Sequence, residues 1–203
     1  MTPPLARRFT VRHRVLAVQQ TIGLLLCAAT AAGAQAAQPY SAQLSALVTS
    51  IRVGTTSFAG SGVEVQQRFN RIYSTEGFGA VSIGIGGQYT VHTKAQDRLQ
   101  SAGLFIEPRY VPPGNLLNCL FPYLSARLAV QRITGTFQSA AGGSSYGTAF
   151  GGGGGAAIKL SRTVNLDAGI QLVRQDYGDI GARTIEPVTT YIAKVGVSVG
   201  YPR

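Results

Sequence analysis

From Val81 to His92 the chain alternates strictly. Val81, Ile83, Ile85, Gly87, Tyr89 and Val91 alternate with Ser82, Gly84, Gly86, Gln88, Thr90 and His92. A period of two marks a β-strand, because successive side chains leave opposite faces. One face of this strand is apolar apart from Gly87, and the other is small and weakly polar with no charge at pH 7. About eight segments alternate or nearly alternate in this way. They predict strands over Leu44–Val53, Gly62–Asn70, Gly79–His92, Leu99–Val111, Pro122–Thr134, Gly147–Leu160, Val164–Asp176 and Pro187–Tyr201.

The later segments show both faces. In PYLSARLAVQR, Leu124, Ala126, Leu128 and Val130 oppose Tyr123, Ser125, Arg127, Ala129 and Gln131. In TVNLDAGIQL, Val164, Leu166, Ala168, Ile170 and Leu172 oppose Asn165, Asp167, Gly169 and Gln171. In TTYIAKVGVSVGY, Tyr191, Ala193, Val195, Val197, Val199 and Tyr201 oppose Lys194, Gly196, Ser198 and Gly200. The first segment, SAQLSALVTSIRV, chooses neither face cleanly. The sixth is dominated by Gly151 to Gly155, which suits a tight bend or a close-packed interior.

Composition decides which face is outside. The chain has 203 residues, enough for one domain with a sizeable core, yet only 13% are charged, 26 are Gly and none is Trp. If the apolar stripes packed inside a soluble protein, the exterior would be Gly-rich, poor in charge and prone to association. If they face lipid, both stripes make sense. Tilted strands of about 9–11 residues cross the hydrocarbon. Closure leaves no unpaired backbone in lipid, and a small barrel fills its interior with side chains. Mature segments lack the long apolar run of a spanning helix. The expected fold is all-β: an up-and-down antiparallel transmembrane β-barrel of about eight strands. Tyr89, Tyr110, Tyr123, Tyr191 and Tyr201 fall where aromatic girdles would sit. A short connection at 160–164 and long ones in TFQSAAGGSSY and YGDIGARTIE fit turns on one side of the membrane and loops on the other; VPPGNLLNCLF breaks that rule.

Residues 1–36 read as a secretory signal peptide: Arg7, Arg8, Arg12 and Arg14 precede a short apolar core, Thr21 to Ala32. Cleavage is expected after Ala34 or Ala36, leaving a barrel domain over 37–203; the alternative is an uncleaved amphipathic anchor. Leu26 before Cys27 departs from a lipoprotein signal. The formal net charge is +10; without the four arginines, 14 of the 18 basic residues remain against 8 acidic ones, a net of +6. The basic residues are scattered singly, so nucleic acid is not expected as a partner. Cys119 is the one Cys after cleavage, which excludes an intramolecular disulfide framework; it reads as a small apolar residue in a turn.

At PYLSARLAV, KLSRTVNLDAGI and the closing VGVSVGY, the chain resembles the small OmpA-like outer-membrane β-barrel superfamily, over roughly Tyr40 to Tyr201. The resemblance implies an eight-stranded, monomeric barrel, exported to the bacterial outer membrane. Its implied partners are the barrel assembly machinery, outer-membrane lipid and lipopolysaccharide. Such barrels end on an aromatic residue, whereas here Pro202 and Arg203 follow Tyr201. No peptidoglycan-binding domain follows, so a wall-tethering role is not expected. Some barrels of this architecture are lipid-modifying enzymes, and lipid A deacylases carry Ser after the catalytic His; here Thr93 follows His92. His92 therefore reads as a polar residue at the barrel mouth. No residue cluster has metal-ligand spacing, and Gly151–Gly155 lacks the Lys-Ser/Thr of a phosphate loop, so neither a cofactor nor a catalytic residue is expected. The preferred function is a structural or surface-interaction barrel with a plugged lumen. The alternatives are a narrow pore for small solutes, a lipid-modifying enzyme using His92, and a soluble secreted barrel binding an apolar ligand.

Pairing the fourth and fifth segments across their connection brings Glu107 near Arg127, both facing inward. The seventh and eighth bring Asp167 toward Lys194, and Gly84 falls across from both Glu64 and Glu107. The expected lumen network is Glu64, Glu107, Arg127, Asp167 and Lys194, with no catalytic role. The alternative has each charge meeting lumen water singly. Lys94, Arg98 and Arg183 are expected at the outer rim, near anionic lipid head groups; the alternative is that each is simply solvated.

Overall fold

The computed structural model describes residues 40–53, 55–75, 77–113, 119–138, 142–181 and 185–200. The segment expected to be a signal peptide, Arg183 and Tyr201 lie outside them. Eight strands run in chain order: β1 (Tyr40–Val53), β2 (Thr56–Thr75), β3 (Gly79–Lys94), β4 (Asp97–Val111), β5 (Leu120–Thr136), β6 (Gly143–Lys159), β7 (Val164–Tyr177) and β8 (Val188–Gly200). Each pairs antiparallel with its neighbour, and β8 closes on β1. Closure removes both sheet edges. No described helix is long and apolar enough to cross a membrane.

The strands expected from the pattern form, with longer ends. β2 departs most from its expected 62–70. Its ladder with β3 runs to Phe69↔Ile83 and resumes at Tyr73↔Val81, so Asn70–Ile72 fall in a bulge. A bulge shifts which face each residue takes, and alternation read along the chain is lost there. The alternation of short and long connections also fails twice more. Val53↔Thr56 and Lys94↔Asp97 are ladder pairs, so the β1–β2 and β3–β4 connections are tight hairpin turns. They share the end of the barrel with the longer β5–β6 and β7–β8 loops.

The apolar stripes face outward. Leu104 is 72% exposed, Leu128 62% and Val195 56%, while Glu64, Glu107, Arg127 and Lys194 are almost wholly buried inside. The glycines of β6 shape this interior. A Cβ on Gly151 or Gly153 would stand 2.0 Å from the carbonyl oxygen of Leu172 or Ile170 on β7. Only hydrogen fits there, and large side chains from facing strands fill the room left inside.

The lumen has two layers. Toward the loop end, Ile51, Val53, Phe58, Leu99, Ile133, Phe137, Tyr177, Ile180 and Ile185 form one apolar cluster. Leu47, Phe105, Ala129, Ala149, Val173 and Ile192 form another. Toward the turn end the interior is polar and charged. β1 crosses both layers on one face, with Ser41, Gln43 and Ser45 in the polar part and Leu47, Ile51 and Val53 in the apolar part. That explains why its segment chooses no face. Tyr123 corrects the girdle expectation: it points inward and is buried. At the turn end Phe78 instead packs between Tyr73 and Tyr110, with ring centroids 5.7 and 5.4 Å apart, and the Tyr110 hydroxyl donates to the Phe78 carbonyl at 2.6 Å.

Candidate functional site

Strand alternation points seven ionisable side chains into the polar half of the lumen: Glu64 and Arg68 from β2, Glu107 and Arg109 from β4, Arg127 from β5, Asp167 from β7 and Lys194 from β8. Glu107 is the hub. Its Oε1 accepts from Arg68 at 2.8 Å and Arg109 at 3.3 Å. Its Oε2 accepts from Lys194 at 2.6 Å, Arg127 at 3.4 Å and the Gln171 amide at 3.0 Å. Glu64 accepts from Arg127 at 2.7 Å and lies 3.5 Å from Lys194. Asp167 accepts from Arg109 at 2.6 Å and from the Tyr123 hydroxyl at 2.9 Å. Arg127 also donates to Gln88, and its guanidinium lies 3.8 Å from the Phe105 ring centroid. Arg109 stacks on Tyr123 at 3.7 Å. Charge-assisted bonds of this kind are strong when shielded from water, and the planar guanidinium suits both carboxylate and ring.

Four of the expected residues come together: Glu64, Glu107, Arg127 and Lys194. The β4–β5 ladder carries Ile106↔Leu128 and Arg109↔Ser125, so Glu107 and Arg127 fall at one level between them. Two expectations are corrected. Asp167 bonds Arg109, because Lys194 sits opposite Gly169 in the β7–β8 ladder. Gly84 faces Glu107 on β4 but Arg68 on β2, since Glu64 is opposite Gln88. The space at Gly84 is filled by Arg68 and Gln66, whose atoms lie 3.0 and 2.7 Å from where a Cβ would be. Sequence reasoning missed Arg68 and Arg109. Their signal was the same period of two, since Arg109 is two residues beyond Glu107 and Arg68 four beyond Glu64.

His92 is fully buried near the loop end, with its ring over Gly60, and neither ring nitrogen has a hydrogen-bond partner. Thr93 is exposed on the opposite face. A His-based hydrolytic site needs a nucleophile or substrate water in reach of the imidazole, and this geometry supplies no hydroxyl to it. Lys94 and Arg98 are exposed at the loop end. Cys119 is an exposed free thiol in the β4–β5 connection. Among the described residues, no group of three or more His, Cys, Asp or Glu side chains could hold a metal ion.

No protein-family model and no curated protein matches the chain. Solved structures do. The barrel is similar to Neisserial surface protein A (NspA), with a TM-score of 0.64 and 18% identity over 82% of this chain and 100% of that one. It is similar to Ail, the attachment invasion locus protein of Yersinia pestis, with a TM-score of 0.51 and 10% identity over 79% of this chain and 96% of that one. The fold is that of the small eight-stranded outer-membrane β-barrels. In such a barrel the outward stripe of Leu104, Leu124, Leu128, Ile170 and Leu172 is the surface that meets hydrocarbon, and the charge cluster lies on the axis.

Proposed function

We propose that this chain is a bacterial outer-membrane protein with a structural or surface-interaction role, whose own side chains plug the lumen and which catalyses no reaction. The observation that carries the reading is the inversion of the two faces. Large apolar side chains such as Leu104, Leu124 and Leu128 are more than half exposed, while Glu64, Glu107, Arg127 and Lys194 are buried. In water this arrangement would expose a continuous apolar surface; in a bilayer it is the favourable one. It also disfavours the soluble apolar-ligand carrier, whose cavity would have to be apolar throughout. Interlocked ion pairs below an apolar layer support the plug over the narrow pore. The orphaned imidazole of His92 supports a non-enzymatic role. Both similar barrels bear names that refer to the surface or to attachment, which supports a role for the loop end. On this reading the barrel is monomeric, is inserted by the assembly machinery, and meets lipopolysaccharide at its outer rim.

Two measurements test the proposal. The protein should fractionate with outer membranes and refold into lipid vesicles. In planar bilayers it should pass little current. A soluble, vesicle-free barrel would overturn the location, and steady channels of defined conductance would overturn the plug in favour of the pore.

A further inference from the structure

We propose that the outward face of β5, β6 and β7 is a binding site for one phosphorylated, multiply acylated glycolipid of the lipid A type; this rests on the outer-membrane reading. Two arginines mark its head-group end. Arg132 on β5 and Arg174 on β7 both point outward and are exposed at the loop end. Arg132 faces Tyr146 on β6 and Arg174 faces Phe150. They thus flank β6 from its two sides, roughly 10 Å apart across the sheet and about 13 Å along it. That separation suits two phosphates carried at opposite ends of one sugar head group better than a single phosphate. Arg132 is held in place, donating to the Ser144 hydroxyl at 3.2 Å with its guanidinium 5.9 Å from the Tyr146 ring centroid. Guanidinium forks recognise phosphate oxygens through paired hydrogen bonds.

Below the arginines the same three strands form an apolar groove. Its floor is the outward edge of β6, Gly152 and Gly154. Gly152 lies between Ala126 and Leu172, and Gly154 between Leu124 and Ile170. Leu124, Ile170 and Leu172 are all more than half exposed and rise as its walls. An acyl chain fits such a channel, and the head group above it reaches both arginines. The charge pattern is what selects the occupant: cations above an apolar groove match an anionic lipid, whereas a second copy of this chain would bring like charges together. Asp176, opposite Thr148, is the carboxylate among the described outward positions of these strands, and it weakens rather than supports anion binding.

The test uses the barrel refolded in neutral detergent, with bound lipid counted by native mass spectrometry. The probes are bisphosphorylated lipid A, its dephosphorylated form, and phosphatidylglycerol. Bisphosphorylated lipid A should be retained as a single adduct in preference to the other two. The double variant Arg132→Gln, Arg174→Gln should weaken it roughly thirtyfold. Ala126→Leu, which narrows the groove without touching a glycine, should also weaken it, and Asp176→Asn should strengthen it. Lys159→Gln with Arg162→Gln, the same charge change at the turn end, should leave it unaltered. Equal retention by the two double variants, or equal binding of the dephosphorylated lipid, would overturn the site. The lipid comparison on the unaltered protein decides the matter even if a variant fails to fold. A protein that inserts into vesicles but shows no lipid preference loses this site alone; one that never inserts loses the outer-membrane reading as well.

Discussion

Replacing Arg127 by Leu removes the shorter of the two links, the other being Lys194, that join Glu64 to the rest of the lumen cluster. The arginine is buried, donates to Glu64 at 2.7 Å and to Gln88, and lies 3.4 Å from Glu107. Breaking a buried pair costs about 3–5 kcal/mol, because the remaining charge is stranded without water. Two features place this variant near the lower bound. Glu64 keeps Lys194 at 3.5 Å, and the cluster of four cations and three carboxylates loses its surplus positive charge. A loss of about 3 kcal/mol, at a typical urea slope of about 2 kcal/mol per molar, lowers the unfolding midpoint by roughly 1.5 M. Urea titration of the barrel refolded in vesicles measures it. The second variant discriminates. Adding Glu64→Leu removes the stranded carboxylate and should recover part of the loss. Adding Glu107→Leu should deepen it, because Arg68, Arg109 and Lys194 then lose their shared partner. An unchanged midpoint for Arg127→Leu, or recovery by Glu107→Leu but not by Glu64→Leu, refutes the reasoning from this geometry.

Leu128→Arg, one residue along and 62% exposed, should place a charge in lipid at a cost of about 2–4 kcal/mol near the midplane, read by the same titration; a harmless Leu128→Arg would mean that the faces are reversed. Gly153→Val should prevent assembly, since its Cβ would lie 2.0 Å from the Ile170 carbonyl oxygen and 2.6 Å from the Gln171 Cα, whereas Gly87→Ala, with its nearest neighbour at 3.7 Å, should fold; gel mobility of unheated against heated samples separates the two. His92→Phe should raise stability by about 1 kcal/mol, because it replaces a buried ring whose polar atoms have no partner with an apolar one; a marked loss would show that the imidazole holds an interaction this structure lacks.

The strands and their facing were legible because a barrel wall imposes one rule on every strand: alternate, with the larger apolar side chains outward. Leu124 to Val130 and Val164 to Leu172 obey it without interruption. The β4–β5 register was legible for a related reason. Uninterrupted alternation on both strands leaves few ways to align them, and Glu107 and Arg127 fall at one level. The β7–β8 register was not. Its connection spans residues 178–187, and a slip of two residues preserves every facing while moving Lys194 from Asp167 to the level of Gly169. Arg68 was missed because the expected register sets Glu64 across from Gly84, where the β2–β3 ladder places Arg68, and Tyr123 because an aromatic near a strand end reads as a girdle residue wherever it points. The loop residues Ile180 and Ile185 follow no period, so no pattern announces that they join the buried apolar cluster that includes Ile51 and Leu99.

The two-layered lumen ties these observations together. An apolar layer drawn from five strands and two loops sits on a layer of ion pairs that is also drawn from five strands. The apolar layer keeps water from one side of the charges, which strengthens their attraction and raises the cost of leaving any one of them unpaired. Each carboxylate accordingly has more than one donor, and Glu107 has five. Such a cluster specifies the barrel more than it stabilises it. A wrong register between any two of these strands would move a charge away from its partners, whereas the lipid-facing wall, with interchangeable Leu, Ile and Val, would tolerate the slip. On the proposed reading the plug and the device that sets the barrel's register are therefore the same set of side chains. A barrel redesigned with an uncharged lumen of equal volume should then lose uniqueness of pairing before it loses the capacity to insert.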